Sequence, residues 1–169
     1  MASLQRIVPC LWFASEAEEA ARFYAEVFPN SRVLAVTRYP AAGQEVTGGE
    51  PGSVLTVDFE LDGSRITALN GGPIFTFNEA VSLQVMCSTQ KEIDYYWDRL
   101  GAGGDPKAQQ CGWLKDRYGL SWQVVPTGMD EMLADHTSDG ARRAMAAVLS
   151  MKKLDIDAIR NAYHGVPAR

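Results

Sequence analysis

The chain has 169 residues, of which 46% are hydrophobic and 22% charged, a mixture typical of a folded protein rather than a disordered one. The formal net charge of −5 provides no basic surface for a phosphate backbone, so we expect neither nucleic acid nor an anionic membrane as a partner. No apolar run approaches the ~18 residues of a spanning helix, and the N-terminus lacks the basic start of a signal peptide, so we expect a soluble, cytoplasmic protein.

The first half of the chain shows the signals of one helix and four strands. Ser15 to Glu18 has the S-x-x-E form of a capping box, which predicts a helix that ends before Pro29. Asp62-Gly63 predicts a turn between two strands. The order is therefore β-α-β-β-β. The predicted strands cover residues 7–13, 31–39, 53–61 and 65–69.

The order then recurs in the second half. Thr89 to Glu92 is a second capping box and opens a helix, for which Gly101 has the place of a C-terminal glycine. Residues 103–110 are weakly patterned and predict a loop with a poor edge strand. Strands are predicted for residues 81–87 and for both arms of a hairpin within 111–126.

The hairpin of residues 111–126 organises the second half. Asp116 can bond its own backbone and Gly119 can adopt positive φ, so the polar turn between two apolar arms has a mechanism. Period-two alternation places Ser121, Gln123 and Val125 on one semi-polar face of the second arm. That face either lines a cavity or belongs to a half-buried strand with a solvated side.

Beyond Pro126 the pattern changes to amphipathic helices, predicted at residues 127–135, 139–153 and 155–163. Their apolar stripe has to cover another surface, either the protein's own sheet or a partner subunit. We expect an obligate homodimer that these helices help to join. The stripe consists of Ala144, Val148, Met151, Ile156 and Ile159.

Cys10, Cys87 and Cys111 are far apart and form no CxxC motif, so we expect neither a disulfide framework nor a zinc ribbon. Each is interpreted as a small buried hydrophobe. No histidine or cation cluster accompanies Cys87 or Cys111 to activate a thiol, so neither is predicted to be a nucleophile.

Four segments resemble the PhnB-like family, which carries the label 3-demethylubiquinone-9 3-methyltransferase domain and is part of the vicinal oxygen chelate (glyoxalase and bleomycin-resistance) superfamily. Its most specific motifs here are LNGGP and CGWLKDxxGxSWQ. The segments are LNGGPIFTFNEAVSLQVMC, residues 92–104, CGWLKDRYGLSWQVVP and MKKLDI.

This resemblance implies an α+β fold in which paired β-α-β-β-β modules form a curved, mixed or antiparallel sheet cup, followed by C-terminal helices. It agrees with the element order above. The implied domain covers residues 1–126, with modules at 1–72 and 78–126, and residues 127–169 form a helical extension.

The superfamily is known for a divalent metal held by His, Glu or Gln. The resemblance carries its ligand positions onto Pro9, Asn70, Ser82 or Gln84, and Gln123, with about one position of uncertainty along each strand. Because this set provides no charged ligand, we expect no bound metal. The two histidines, His136 and His164, lie in the helical extension, away from those positions.

The methyltransferase label receives no support from a cofactor motif. Gly71-Gly72-Pro73 follows a strand of an antiparallel hairpin, whereas a nucleotide-type methyl donor is held by a glycine-rich loop on a parallel sheet. We interpret this segment as a turn and expect no cofactor.

Two classes of function remain open. One is a protein that binds a small, largely apolar or aromatic ligand in the cup without catalysis. The other is a superfamily enzyme of the lyase, isomerase or dioxygenase type with an atypical metal site, or, less in keeping with the sequence, a methyltransferase. Glu45 or Glu50 in the loop of residues 40–52 is a candidate to close over the cup, and no catalytic residue is assigned. The predicted ligand-binding residues are Trp12, Phe13, Asn70, Phe75, Gln84, Met86 and Gln123.

Overall fold

The structure is a computed structural model that describes residues 5–41 and 49–166 of the chain. It is an α+β fold with two mixed sheets and a group of C-terminal helices. In chain order the elements are β1 (Cys10–Phe13), α1 (Ala17–Val27), β2 (Arg32–Arg38), β3 (Val54–Leu61), β4 (Ser64–Asn70), β5 (Ser82–Cys87), α2 (Gln90–Gly101), a 3-10 helix (Pro106–Ala108), β6 (Trp113–Lys115), β7 (Ser121–Pro126), α3 (Met129–Leu133), α4 (Asp139–Ser150) and α5 (Ile156–His164).

The chain divides into two compact units, Met1–Phe77 and Asn78–Arg169. In the first unit the strand order is β1-β4-β3-β2, with β1 parallel to β4 and the other neighbours antiparallel. Alternation in β3 buries Val57 and Phe59 on the face that α1 covers, where Tyr24 stacks on Phe59. The predicted β-α-β-β-β order of this half is confirmed.

The predicted capping box at Ser15 is wrong. Helix α1 begins at Ala17, and its N-cap residue Glu16 makes no side-chain capping bond, while Glu18 pairs with Arg22 one turn later. The acceptor for the Ala17 N–H is instead Asn70 Oδ1 at 2.9 Å, supplied by the end of β4. A partner 53 positions away leaves no trace in a local pattern, which explains the error.

The second unit has the strand order β5-β7-β6, with β5 parallel and β6 antiparallel to β7. The predicted capping box of α2 is confirmed, because Thr89 Oγ1 accepts from the Glu92 N–H and Glu92 Oε2 accepts from the Thr89 N–H. The predicted hairpin is confirmed as β6 and β7. Helix α2 includes Gly101, and the positive φ of +79° falls at Gly103 instead.

The weak strand predicted within residues 103–110 is a 3-10 helix and not a strand. Asp105 Oδ1 accepts a hydrogen bond from the Lys107 N–H, and Pro106 fixes φ at the first position of the turn. Local bonding of this kind competes with strand pairing. Only an isolated bridge between Gln110 and Trp113 remains.

The C-terminal helices pack on the sheet of their own unit. Val125 of β7 forms one apolar cluster with Ala144, Val148, Leu154 and Ile159. The two backbone N–H groups before β6 donate to carbonyls between α4 and α5, Cys111 to Met151 and Gly112 to Lys152, both at 2.8 Å. The sequence left two surfaces for these helices to cover, the protein's own sheet or a partner subunit. The structure shows the helices on the protein's own sheet.

The helix ends differ modestly from those predicted, since α3 covers Met129–Leu133 and α4 stops at Ser150. Among the described residues, no helix combines the length and apolar character needed to cross a membrane.

Candidate ligand site

One face of the sheet in the second unit carries several polar side chains. The β6–β7 and β5–β7 registers place these side chains in two rows across the three strands. We call this surface the polar face. The first row is Lys115, Ser121 and Ser82, and the second row is Trp113, Gln123 and Gln84.

Two amides of the polar face bond to one another and to a hydroxyl. Gln84 Nε2 donates to Gln123 Oε1 at 3.2 Å, and Gln123 Nε2 donates to Ser82 Oγ at 2.7 Å. Gln84 is exposed and Gln123 is half-buried, so the chain of bonds runs from solvent into the sheet. These bonds fix the orientation of both amides.

The other row contains a cation and an unpartnered hydroxyl. Lys115 forms an ion pair with Glu79, and the hydrogen bond from Lys115 lowers the pKa of that carboxyl group. Ser121 is fully buried, and its Oγ has no hydrogen-bond partner among the described residues. Native proteins leave few buried polar atoms in this state.

A pocket of about 440 Å³ opens beside the polar face. Apolar atoms dominate its lining, and its polar side chains include those of Glu79, Lys115 and Ser121. A mostly apolar concavity with a few convergent polar groups is the usual form of a small-molecule site. The lining includes Glu79, Trp113, Leu114, Lys115, Ser121 and Leu149.

Three of the predicted ligand-binding residues lie in the second unit. Gln84 and Gln123 belong to the polar face. Met86, two positions after Gln84 on β5, is 53% exposed. The structure brings these three together on one sheet, as the alternation of β5 and β7 predicts.

The other four lie in the first unit and are engaged within it. Phe13 is buried and its ring packs edge-on against Phe77, which assigns Phe13 to the core rather than to an open surface. Trp12 packs against Phe75, which is 61% exposed.

Asn70, the fourth of these residues, has a structural role, because it is hydrogen-bonded to three other segments of the first unit. Its Oδ1 accepts from the Ala17 N–H, its Nδ2 donates to the Val54 carbonyl at 3.1 Å, and its own carbonyl accepts from the Tyr39 hydroxyl at 2.7 Å. A pocket of about 510 Å³ adjoins it in the first unit. Since the amide of Asn70 is already bonded on both sides, we favour the pocket of the second unit as the ligand site.

The LNGGP motif connects the end of β4 to β1. The Gly71 N–H donates to the Phe13 carbonyl, the Gly72 N–H donates to the Ala14 carbonyl, and Trp12 Nε1 donates to the Gly72 carbonyl at 2.9 Å. Gly72 has φ +81°, which favours glycine. The motif therefore acts as a turn, as predicted, and its backbone N–H groups already bond within the chain.

The positions that correspond to the superfamily's metal ligands do not fit a divalent ion. Both functional atoms of Asn70 are bonded to backbone groups, and Gln123 Oε1 accepts from Gln84. Neutral amides and hydroxyls without a carboxylate compete poorly with water for a hard cation. Within residues 5–41 and 49–166, no three His, Cys, Asp or Glu side chains cluster closely enough to hold a metal.

The cysteines differ in burial from what the sequence predicts. Cys87 is buried, but Cys10 is exposed and Cys111 is half-buried. Burial, followed by the nearby charge of Glu92, raises the pKa of Cys87 to about 11. A thiol of that pKa is almost entirely protonated near neutral pH and is a poor nucleophile.

Of the two acidic residues considered as a cover, Glu45 lies outside the described residues. Glu50 is exposed, and its carbonyl accepts bonds from the Ser53 N–H and Oγ. The suggestion that either carboxylate closes over a ligand stays a prediction.

Lys115, Glu79 and Ser121 were not among the predicted site residues. Alternation places Ser121 on the same face as Gln123, and it would have placed Lys115 and Trp113 there too, had the hairpin register been known. Glu79 lies in a loop, so no periodic signal exists for it.

A protein-family model described as 3-demethylubiquinone-9 3-methyltransferase matches residues 5–125. Among solved structures, the chain is similar to a PhnB protein from Bacillus cereus that carries the same description. The two share 34% identity over 73% of this chain and 100% of that chain, with a TM-score of 0.62.

Protein PA1353 from Pseudomonas aeruginosa is 19% identical over 73% of this chain and 98% of its own, with a TM-score of 0.56, and supports the fold. A glyoxylase/bleomycin resistance protein/dioxygenase domain from Frankia sp. EAN1pec matches at 15% identity over 73% and 93% of the two chains, with a TM-score of 0.47. No curated protein matches the sequence.

Proposed function

Because the chain belongs to the PhnB-like 3-demethylubiquinone-9 3-methyltransferase family of the glyoxalase and bleomycin-resistance superfamily, we propose that it is a cytoplasmic binding protein for a small, largely apolar or aromatic molecule. Binding takes place without a metal ion, in the pocket beside the polar face. The observation that carries this proposal is the pocket of about 440 Å³ with its mainly apolar lining.

The lining supports an aromatic ligand in particular. Trp113 is half-buried at the pocket and offers a flat surface. Leu149 of α4 is 57% exposed, so a ligand that covers this side chain buries apolar area. Ring-on-ring packing adds to simple burial of apolar area. Gln84 and Gln123, whose amides bond to one another, lie on the adjacent row of the polar face and are not among the residues that line the pocket.

We predict that some flat aromatic compounds raise the melting temperature of the protein and that divalent ions do not change this effect. A ligand that binds only the folded state stabilises it in proportion to its affinity. The measurement is a thermal-shift screen of aromatic compounds, each with and without zinc, nickel and manganese, followed by calorimetric titration. Binding that requires one of these ions would contradict the proposal and favour the alternative, a superfamily enzyme with an atypical metal site.

The pocket assignment has a matched pair of variants. Leu149→Trp should weaken binding of any compound from the screen by about tenfold or more, because the larger side chain occupies the pocket. Met145→Trp on the same helix is the control, since Met145 is also exposed, at 41%, and is not among the residues that line the pocket. Equal affinity in both variants would move the site elsewhere.

The family's description leaves a methyltransferase as a second candidate, but no observation favours it in this chain. The N–H groups of Gly71 and Gly72 donate to carbonyls of the chain and are not available to cradle a cofactor. S-adenosylmethionine belongs in the titration series for this reason. Saturable micromolar binding of it would support the methyltransferase reading.

We further propose that the protein is a homodimer. In the second unit, two large apolar side chains are exposed at or directly before β5, an edge strand of its sheet. Surfaces of this kind commonly mark a protein interface. The residues are Val81 and Met86, with exposures of 68% and 53%.

Light scattering at micromolar concentration should therefore give the mass of a dimer, and Val81→Lys should shift the protein toward monomer. Val166→Lys is the control, since Val166 is also exposed, at 51%, and lies past the last helix. A monomeric wild type would refute dimerisation. A dimer that tolerates Val81→Lys would place the interface on another surface.

A further inference from the structure

The Ser121 hydroxyl, which has no hydrogen-bond partner in the described part of the chain, lies at the pocket, so a molecule bound there has a donor to use. Its neighbours on the polar face do not satisfy it, because Gln123 Nε2 donates to Ser82 Oγ instead. A buried hydroxyl without a partner is unfavourable in the folded state and is rare in native proteins. A ligand with an acceptor atom would supply the missing partner.

Lys115 provides a positive charge next to that hydroxyl. It stands directly opposite Ser121 in the β6–β7 ladder, which places the two Cβ atoms about 5 Å apart on the same face. Together the two side chains offer a cation and a hydroxyl donor to one group of atoms. An oxyanion has acceptors for both.

The present partner of Lys115 can be replaced. The Lys115 side chain is only 24% exposed, whereas that of Glu79 is 66% exposed and lies in the loop before β5. An exposed carboxylate keeps most of its hydration and contributes little to an ion pair. Glu79 therefore leaves Lys115 at small cost, while Lys115 stays in the lining.

Ser121 is inaccessible to solvent while Glu79 is paired with Lys115. All three residues line the same pocket. Departure of the Glu79 carboxylate would free Lys115 Nζ for another oxyanion in the pocket that Ser121 also lines.

We propose that the pocket binds an aromatic carboxylate. Its carboxylate group replaces that of Glu79 at Lys115 Nζ and accepts a hydrogen bond from Ser121 Oγ, while its ring lies against Trp113 and Leu149. This inference rests on the proposed function, because it specifies the chemical class of ligand for the same pocket.

The test compares 2-naphthoate with 2-naphthamide, which share a ring system and differ in charge, by calorimetric titration of the full chain. The wild type should bind the carboxylate at least about tenfold more tightly than the amide, since charge-assisted hydrogen bonds are the stronger ones. Lys115→Met should remove that preference by weakening 2-naphthoate about tenfold and leaving 2-naphthamide within about twofold.

Ser121→Ala separates a ligand contact from a structural role. It should weaken 2-naphthoate by about threefold to tenfold. It should not lower the melting temperature of the ligand-free protein, because no hydrogen bond of the described structure is removed. A large loss of stability in the free protein would show that the hydroxyl has a structural partner and would overturn its assignment.

Glu79→Gln should act in the opposite direction and tighten 2-naphthoate by about threefold or more, because the competing carboxylate is gone. Glu131→Gln, an exposed change on α3, is the control and should leave the affinity unchanged. Weaker or unchanged binding in Glu79→Gln, or unchanged binding in Lys115→Met, would overturn the inference.

Different results would contradict the carboxylate preference and the proposed function. If both probes bind the wild type equally and Leu149→Trp weakens both, the pocket binds ligand but does not select a carboxylate. If neither probe nor any other aromatic compound binds, the proposed function itself is wrong.

Discussion

Replacing Asp116 with alanine should lower the free energy of unfolding by about 3–5 kcal/mol, because three hydrogen-bond donors, two of them in buried bonds, lose their acceptor at once. Asp116 is 2% exposed and lies between β6 and β7. Its Oδ1 accepts from the Tyr118 and Leu120 N–H groups, and its Oδ2 accepts from Trp122 Nε1 at 2.8 Å. From the sequence we interpreted this aspartate as a turn residue. The structure adds that it also holds the buried indole of Trp122.

A denaturant titration monitored by tryptophan fluorescence, to which Trp122 contributes, would measure this loss. Asp116→Asn should fall between the wild type and Asp116→Ala, since an amide can accept two hydrogen bonds on one side but presents donors on the other.

Asp105→Ala is the matched control. Asp105 also accepts a backbone N–H two positions on, but at an exposed turn, so its removal should cost roughly 1 kcal/mol or less. Equal losses for the two alanine variants would show that Asp116 does not anchor Trp122 in the way its contacts indicate.

Replacing Gly71 with alanine should destabilise the first unit by about 2–4 kcal/mol, through overpacking together with loss of a hydrogen bond. A Cβ at this position would lie 2.1 Å from the nearest ring atom of Trp12. The indole would have to move, which removes the bond from Trp12 Nε1 to the Gly72 carbonyl and disturbs the contact with Phe75.

Gly72→Ala tests whether space or backbone conformation is the cause. Gly72 has open space for a Cβ but has φ +81°, so alanine there should cost only about 1–2 kcal/mol of strain. The double variant Trp12→Leu/Gly71→Ala provides the sharper check, because a smaller side chain should make the glycine replaceable. If Gly71→Ala costs as much in the Trp12→Leu background as in the wild type, the indole contact is not the reason.

Much of the fold could be predicted because short-range rules decide it. The capping box at Thr89 needs only its own four residues, and the hairpin turn needs only Asp116 and its neighbours, so both predictions are confirmed. The box at Ser15 has the same form but fails, since a side chain from β4 competes for the same helix end. Local form alone does not distinguish these two cases.

The candidate site was only partly predictable for a similar reason. Gln84 and Gln123 are amides in strands whose side chains alternate between two faces, and the structure places them side by side on one face. Glu79 comes from an irregular loop, and the lack of a partner for Ser121 Oγ depends on where every neighbouring side chain points. Neither feature has a sequence pattern.

The sequence by itself determined which residues of β7 share a face, because side chains of a strand alternate whatever surrounds them. Ser121, Gln123 and Val125 follow from that rule. Only the tertiary structure decided that helices α4 and α5 cover the face at Val125, while a pocket remains at Ser121. That outcome depends on where distant segments of the chain dock, and docking is set by the packing of whole surfaces rather than by any local pattern.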